Sequence, residues 1–276
     1  MEAFTVKKEG LQTGWIARLK EKEYLSLKTA RGERIHGGVQ NWYYERSNAE
    51  ELKKQGINKR YQLCKRDENF RLASLGCGVI AMINAQIYLK RRKLREQEPE
   101  TQAEELTQKS YQAFVDESWK RTYHIGRSYV NYVAGLYPWK MEKGLQRFLK
   151  DNGFQRQRVR WAPYVFALPG RQKELVLQTV IDMLRADYPV VFAYHTFQPR
   201  TQALVLYDRL EDAMMGLPKG KRDDEAASHY MTIIGVYRAP NEQVILQVES
   251  WGRIFYLRYD AYAQKLSYFS NILSVI

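Results

Sequence analysis

Cysteine is almost absent from this 276-residue sequence: there are two, Cys64 and Cys77. Two thiols build neither a disulfide scaffold nor a four-ligand zinc site of their own, and no metal or organic cofactor is implied. Long apolar runs are also missing. The longest, Gly76–Leu89, is interrupted by Asn84 and Gln86 and falls short of a membrane-spanning helix. The start, MEAFTVKKEG, has no apolar stretch or small-residue cleavage site of a secretory signal, so a cytoplasmic location is expected. No fixed-period repeat or low-complexity linker is visible, which leaves one domain, residues 37–276, behind an N-terminal extension, residues 1–36.

What is present is apolar and basic. Apolar residues make up 45% of the chain, enough for a sizeable core. Lys and Arg number 44 against 31 Asp and Glu, a net charge of +13. That excess favours acidic partners, a polyanion or an acidic protein, unless it is only a solvated surface. Arg156, Arg158 and Arg160 recur at every second position beside Trp161, and Lys90–Arg95 forms a second cluster. Arginines alternating on a strand next to an aromatic ring suit phosphate contacts and base stacking, but no ordered nucleic-acid-binding motif accompanies them.

Patterning places helices in the first two-thirds and strands in the last third. Strand-like pieces are read at Phe4–Val6, Trp15–Leu19 and Tyr24–Leu27. Ser47 and Glu50 resemble a capping box opening a helix that Gly56 stops. Gly76–Leu89 is apolar on nearly every face, the mark of a central buried helix, and is expected to emerge into Lys90–Lys93. Further helices are read over Thr101–Lys120, Lys140–Asp151 and Leu175–Ala186. Strands follow at Pro189–Phe197, His229–Arg238 and Val244–Gly252, with a fourth at Phe255–Arg258. The expected class is α+β, with an antiparallel sheet.

Cys77 stands where that buried helix begins, between Gly76 and Gly78. A helix N-terminus favours the thiolate, the reactive form, and flanking glycines leave room for another group to approach the sulfur. The competing reading is a small buried hydrophobe. Cys64, in the polar stretch QLCKRD, has no such setting. Of four histidines, His36 and His124 sit in charged, loop-like surroundings and His195 ends a strand. His229 begins one, just after the charged stretch Lys219–Ala227. A reversal centred on Pro240 and Asn241 sets residue i opposite residue 481 − i, which returns Glu249-Ser250-Trp251-Gly252 to the neighbourhood of His229. A carboxylate there would hold the imidazole tautomer.

In this order, Cys77-Gly78 on an apolar helix, His229-Tyr230 opening a strand and Glu249-Ser250-Trp251-Gly252 one hairpin on, the sequence resembles the papain-like cysteine peptidases, specifically their bacterial bacteriocin-processing, double-glycine branch. The resemblance runs from about Gly37 to Tyr259. It implies a papain-like fold and a thiol hydrolase acting on a peptide or isopeptide bond. Cys77 would be the nucleophile, His229 the general base and Glu249 the orienting third member, in place of the usual Asp or Asn. Gly76, Gly78 and Trp251 would contact a peptide or protein substrate. The family's oxyanion-hole Gln, about six residues before the Cys, is here Arg71; Gln40 in GGVQNWY is the first substitute, ahead of Gln62 and Asn69. Acyl transfer or deamidation on the same residues, and a catalytically inactive basic binding module, are the alternatives.

Overall fold

A computed structural model describes residues 19–28, 38–98, 106–123, 135–154, 157–161, 171–195, 203–216, 224–226, 228–266 and 270–275. A short strand, β1 (Tyr24–Ser26), precedes four short helices, α1 (Trp42–Glu45), α2 (Ala49–Lys54), α3 (Arg60–Arg66) and α4 (Glu68–Leu75). The 21-residue α5 (Cys77–Gln97) follows, then α6 (Gln108–Arg121), α7 (Pro138–Asp151), β2 (Val159–Trp161) and α8 (Arg171–Arg185). The remaining strands are β3 (Val190–His195), β4 (Leu204–Leu206), β5 (Asp224–Ala226), β6 (Ser228–Arg238), β7 (Val244–Ser250), β8 (Arg253–Arg258) and β9 (Ile272–Val275).

The fold is α+β, and every strand pair is antiparallel. The main sheet runs β2-β9-β3-β6-β7-β8, while β4 and β5 pair separately. β6 organises it: β7 lines one edge, and β3 and β1 share the other, β3 along Ser228–Ile233 and β1 along Gly235–Tyr237. So Tyr24–Ser26, within the expected N-terminal extension, is a strand of the main sheet, and a boundary at residue 36 does not separate it. The expected pieces at 4–6 and 15–18 lie outside the described residues.

α5 is the central helix. Gly78–Gln86, Tyr88 and Leu89 are all buried, on every face, and the helix lies against β6, where Thr232 Oγ1 donates to the Ala81 carbonyl at 3.4 Å. It does not end at Leu89 as its composition suggests. Its basic last turns stay helical because their side chains reach neighbouring elements. Arg92 donates to the carbonyls of Ala186 (2.8 Å) and Asp187 (3.1 Å), and Lys93 donates to that of Asn152 (2.8 Å). The Lys90–Arg95 cluster therefore docks this helix, with Lys90 also over the Phe114 ring. Through β2 and the residue before it the alternation holds: Arg158 and Arg160 are exposed, Val159 and Trp161 buried. Arg156 lies outside the described residues.

Among the described residues no single helix is long and apolar enough to cross a membrane; α4 and α5 meet the criterion only as a pair bent by 81° at Gly76.

Candidate functional site

The bend at Gly76 positions Cys77. The Gly76 N–H donates to the Leu72 carbonyl at 2.8 Å, and a Cβ on Gly76 would lie 2.3 Å from that same oxygen, so only glycine lets α4 end this tightly against α5. Gly78 serves the same end: its Cβ would meet Leu136 at 3.0 Å and Tyr230 at 3.1 Å. This corrects their expected role. The space beside both glycines is filled by the protein's own atoms, and neither lines the cavity at Cys77.

That cavity is lined by Gln40, Cys77, Ile80, Ala81, Asn84, His229, Tyr230, Glu249, Ser250 and Trp251. It is narrow, about 10 Å³, room for a single water. Cys77 and His229, 152 positions apart in sequence, thus face one space. α5 presents Cys77 at its first turn, and β6 presents His229 one residue into the strand, opposite Tyr194 of β3. Burial pushes the half-buried Cys77 thiol up, opposed by backbone N–H groups of Tyr230, Gly78 and Cys77 itself that would stabilise a thiolate. Burial pushes His229 down to about 4.

Around the site residue i faces residue 481 − i as expected, but the pairs nearer the turn do not, and a bulge makes up the difference. Thr232 pairs with Glu249 and Ile233 with Val248; beyond a bulge at Ile234 the register shifts by one. β7 then reverses into β8 through Trp251 (φ 49°) and Gly252 (φ 72°), a two-residue turn with both residues left-handed. Gly252 is suited to it. Trp251, a bulky residue at positive φ, is strained. The strained turn lays the indole on the His229 ring, 4.5 Å between centroids and 23° between planes.

Two expected roles change here. His229 Nε2 bonds the Ser250 hydroxyl at 2.6 Å, so Ser250 and not Glu249 holds the imidazole. Neighbouring residues on a strand point to opposite sides. Glu249, 2% exposed, turns to α5, where Asn84 Nδ2 donates to both its oxygens (2.7 and 2.6 Å) and Asn84 Oδ1 accepts from the Tyr111 hydroxyl at 2.7 Å. Gln40 reaches the cavity, but its Nε2 already donates to the carbonyls of Leu72 (3.1 Å) and Ala73 (2.8 Å), leaving no N–H for an oxyanion. Arg71 is buried, with Nε on the Cys64 carbonyl at 2.6 Å, and Asn69 donates to the Arg46 carbonyl at 3.0 Å. Neither Gln62 nor Asn69 lines the cavity. The donor that remains is backbone: α5 has no side-chain cap, and the N–H of Cys77 finds no backbone carbonyl among the described residues.

Cys64 is buried in α3 and its thiol is pushed up by burial. His195 bonds Ser228 through Nδ1 at 2.9 Å and does not line the cavity. His36 and His124 lie outside the described residues. Of the Lys219–Ala227 stretch, residues 224–226 form β5, paired to β4. No group of three or more His, Cys, Asp or Glu suited to a metal occurs among the described residues. Asn84 and Tyr111 were not singled out by sequence; a polar residue inside the apolar run Gly76–Leu89 was the available signal for Asn84.

Compared with known proteins, the chain matches no family model, no curated protein and no solved structure.

Proposed function

We propose that the protein is a papain-like, thiol-dependent hydrolase of peptide or isopeptide bonds, with Cys77 as nucleophile, His229 as base and Ser250 as the group that orients His229. The observation that carries this reading is the shared cavity of Cys77 and His229, with Nε2 of the histidine held by Ser250. When Nε2–H donates to Ser250, Nδ1 keeps its lone pair, and Nδ1 has no hydrogen bond among the described residues.

The steps follow from these groups. A carbonyl group entering the cleft brings its carbon to Cys77; the thiol proton passes to Nδ1 as the C–S bond forms. The backbone N–H of Cys77, at the positive end of α5 and at the cavity, takes the oxyanion. Collapse returns the proton from His229 to the leaving amine and leaves a thioester. Water, deprotonated by Nδ1, then releases the acid and the free thiol. Because burial raises the thiol and lowers the imidazole, the resting pair is neutral, and the proton moves only as the carbonyl is attacked.

Iodoacetamide tests this on the native chain. Cys77 should alkylate at least 10-fold faster than buried Cys64, and His229→Ala should erase most of that difference. Equal labelling of the two thiols, or no labelling, would favour an inactive binding module.

A further inference from the structure

The segment entering α7 lies beside the nucleophile. Leu136 touches the open face of Gly78, and its carbonyl accepts from the Tyr230 hydroxyl at 3.0 Å. The next residues expose two aromatic rings: Tyr137 (37% exposed) and Trp139 (48%) stack on each other with centroids 4.3 Å apart and planes 11° apart. A stacked pair this open to solvent, next in sequence to a residue packed on the neighbour of Cys77, leaves a free ring face for a bound chain.

The pair continues as a charged stripe. Trp139, Lys143, Arg147 and Lys150 follow one another at helical spacings of four, four and three, so they share one side of α7. The three cations are exposed and carry no ion pair among the described residues. Lys143, Arg147 and Lys150 border an open groove of about 530 Å³ closed on its far side by Val159 of β2. At ~1.5 Å per residue the stripe is about 16 Å long, the reach of roughly five extended residues.

We propose that this face of α7 is a docking track for an acidic polypeptide segment of the substrate, carrying an aromatic residue that stacks on Trp139; this rests on the active-site reading of Cys77. A polypeptide fits better than a nucleic acid because Glu142 and exposed Asp151 interrupt the cations in the same groove. A phosphate backbone has a charge at every step and would meet both carboxylates. A polypeptide places its charges on chosen side chains.

Fluorescence anisotropy on the full chain tests the proposal with three labelled probes: a Glu-rich decapeptide with one Trp, its Lys-rich counterpart and a ten-nucleotide oligo-dT. The acidic peptide should bind at least 10-fold more tightly than the basic one and weaken as salt rises. Lys143→Glu/Arg147→Glu/Lys150→Glu should cost it at least 10-fold, and Trp139→Ala about 5-fold. Binding of the acidic peptide unchanged in the triple variant overturns the proposal, as does oligo-dT binding more tightly on the same residues. Iodoacetamide labelling of Cys77 is read in parallel without peptide and should be unaltered in the triple variant. A native chain that does not discriminate between the peptides but labels normally sinks the track alone; a native chain that binds the acidic peptide as expected but does not label sinks the active-site reading alone.

Discussion

One step along β7 separates a residue that holds the imidazole from one that holds a helix. Glu249 faces α5 and is buried with Asn84 and Tyr111, so Glu249→Gln exchanges a charge-assisted bond for a neutral one and puts an N–H against the Asn84 amide donor. That should destabilise the fold by about 1–3 kcal/mol in chemical denaturation while Cys77 alkylates at nearly the native rate. Ser250→Ala should do the reverse: a small change in stability and a several-fold slower alkylation, because the imidazole loses its tether. If Glu249→Gln slows labelling and Ser250→Ala does not, Glu249 acts on His229 after all. Trp251 gives a second contrast. Trp251→Asn makes the Asn-Gly pair that suits a turn with two positive φ values, relieving about 1 kcal/mol of strain, yet it uncovers His229. The variant should keep or raise its Tm, and the His229 titration followed by NMR should climb from about 4 towards the ordinary 6.5.

The elements that position these residues were legible in the sequence to different degrees. The register of β6 on β7 was legible only in part: the pairs next to the turn sit one residue away from the expected 481 − i, and the bulge at Ile234, which nothing in the sequence announced, brings Thr232 opposite Glu249. Even so, register names the residues brought near His229, not the one whose side chain points at it, and that is why Glu249 was expected where Ser250 stands. The extent of α5 was not legible either: Lys90–Arg95 looks like a solvated end until Arg92 and Lys93 find carbonyls on distant segments. β2 is the clearest case of context deciding an element. Its three residues form the edge of the sheet, and its outward N–H groups are taken by α7: Gln146 Oε1 accepts from Val159 (2.8 Å) and Glu142 Oε2 from Trp161 (3.1 Å). These side chains do what another strand would otherwise do at an open edge. Glu142→Ala/Gln146→Ala should therefore lower stability by about 2 kcal/mol and produce concentration-dependent association in light scattering. A variant that stays monodisperse would show that the edge is guarded by something else.

Over the whole molecule the basic excess and the buried site act on stability at different pH. A net charge of +13 at neutrality grows as carboxylates protonate, and the self-repulsion of the compact state grows with it. His229 adds a local contribution whose sign follows from its burial. In the folded chain it takes a proton only near pH 4, while in the unfolded chain it does so near 6.5. Its folded value is depressed, so its share of stability is fully present above about pH 6.5 and is lost as pH falls towards 4, where the unfolded state has bound a proton that the native state refuses. His229→Gln keeps a polar amide within reach of Ser250 and cannot titrate. The difference in unfolding free energy between the native chain and this variant should thus be flat above pH 7 and shift steadily against the native chain between 6.5 and 4. The general acid sensitivity set by the net charge should remain in both. A difference independent of pH would mean that His229 protonates as readily folded as unfolded, and so is not held in the buried, water-excluded setting from which the proposed proton transfer from Cys77 starts.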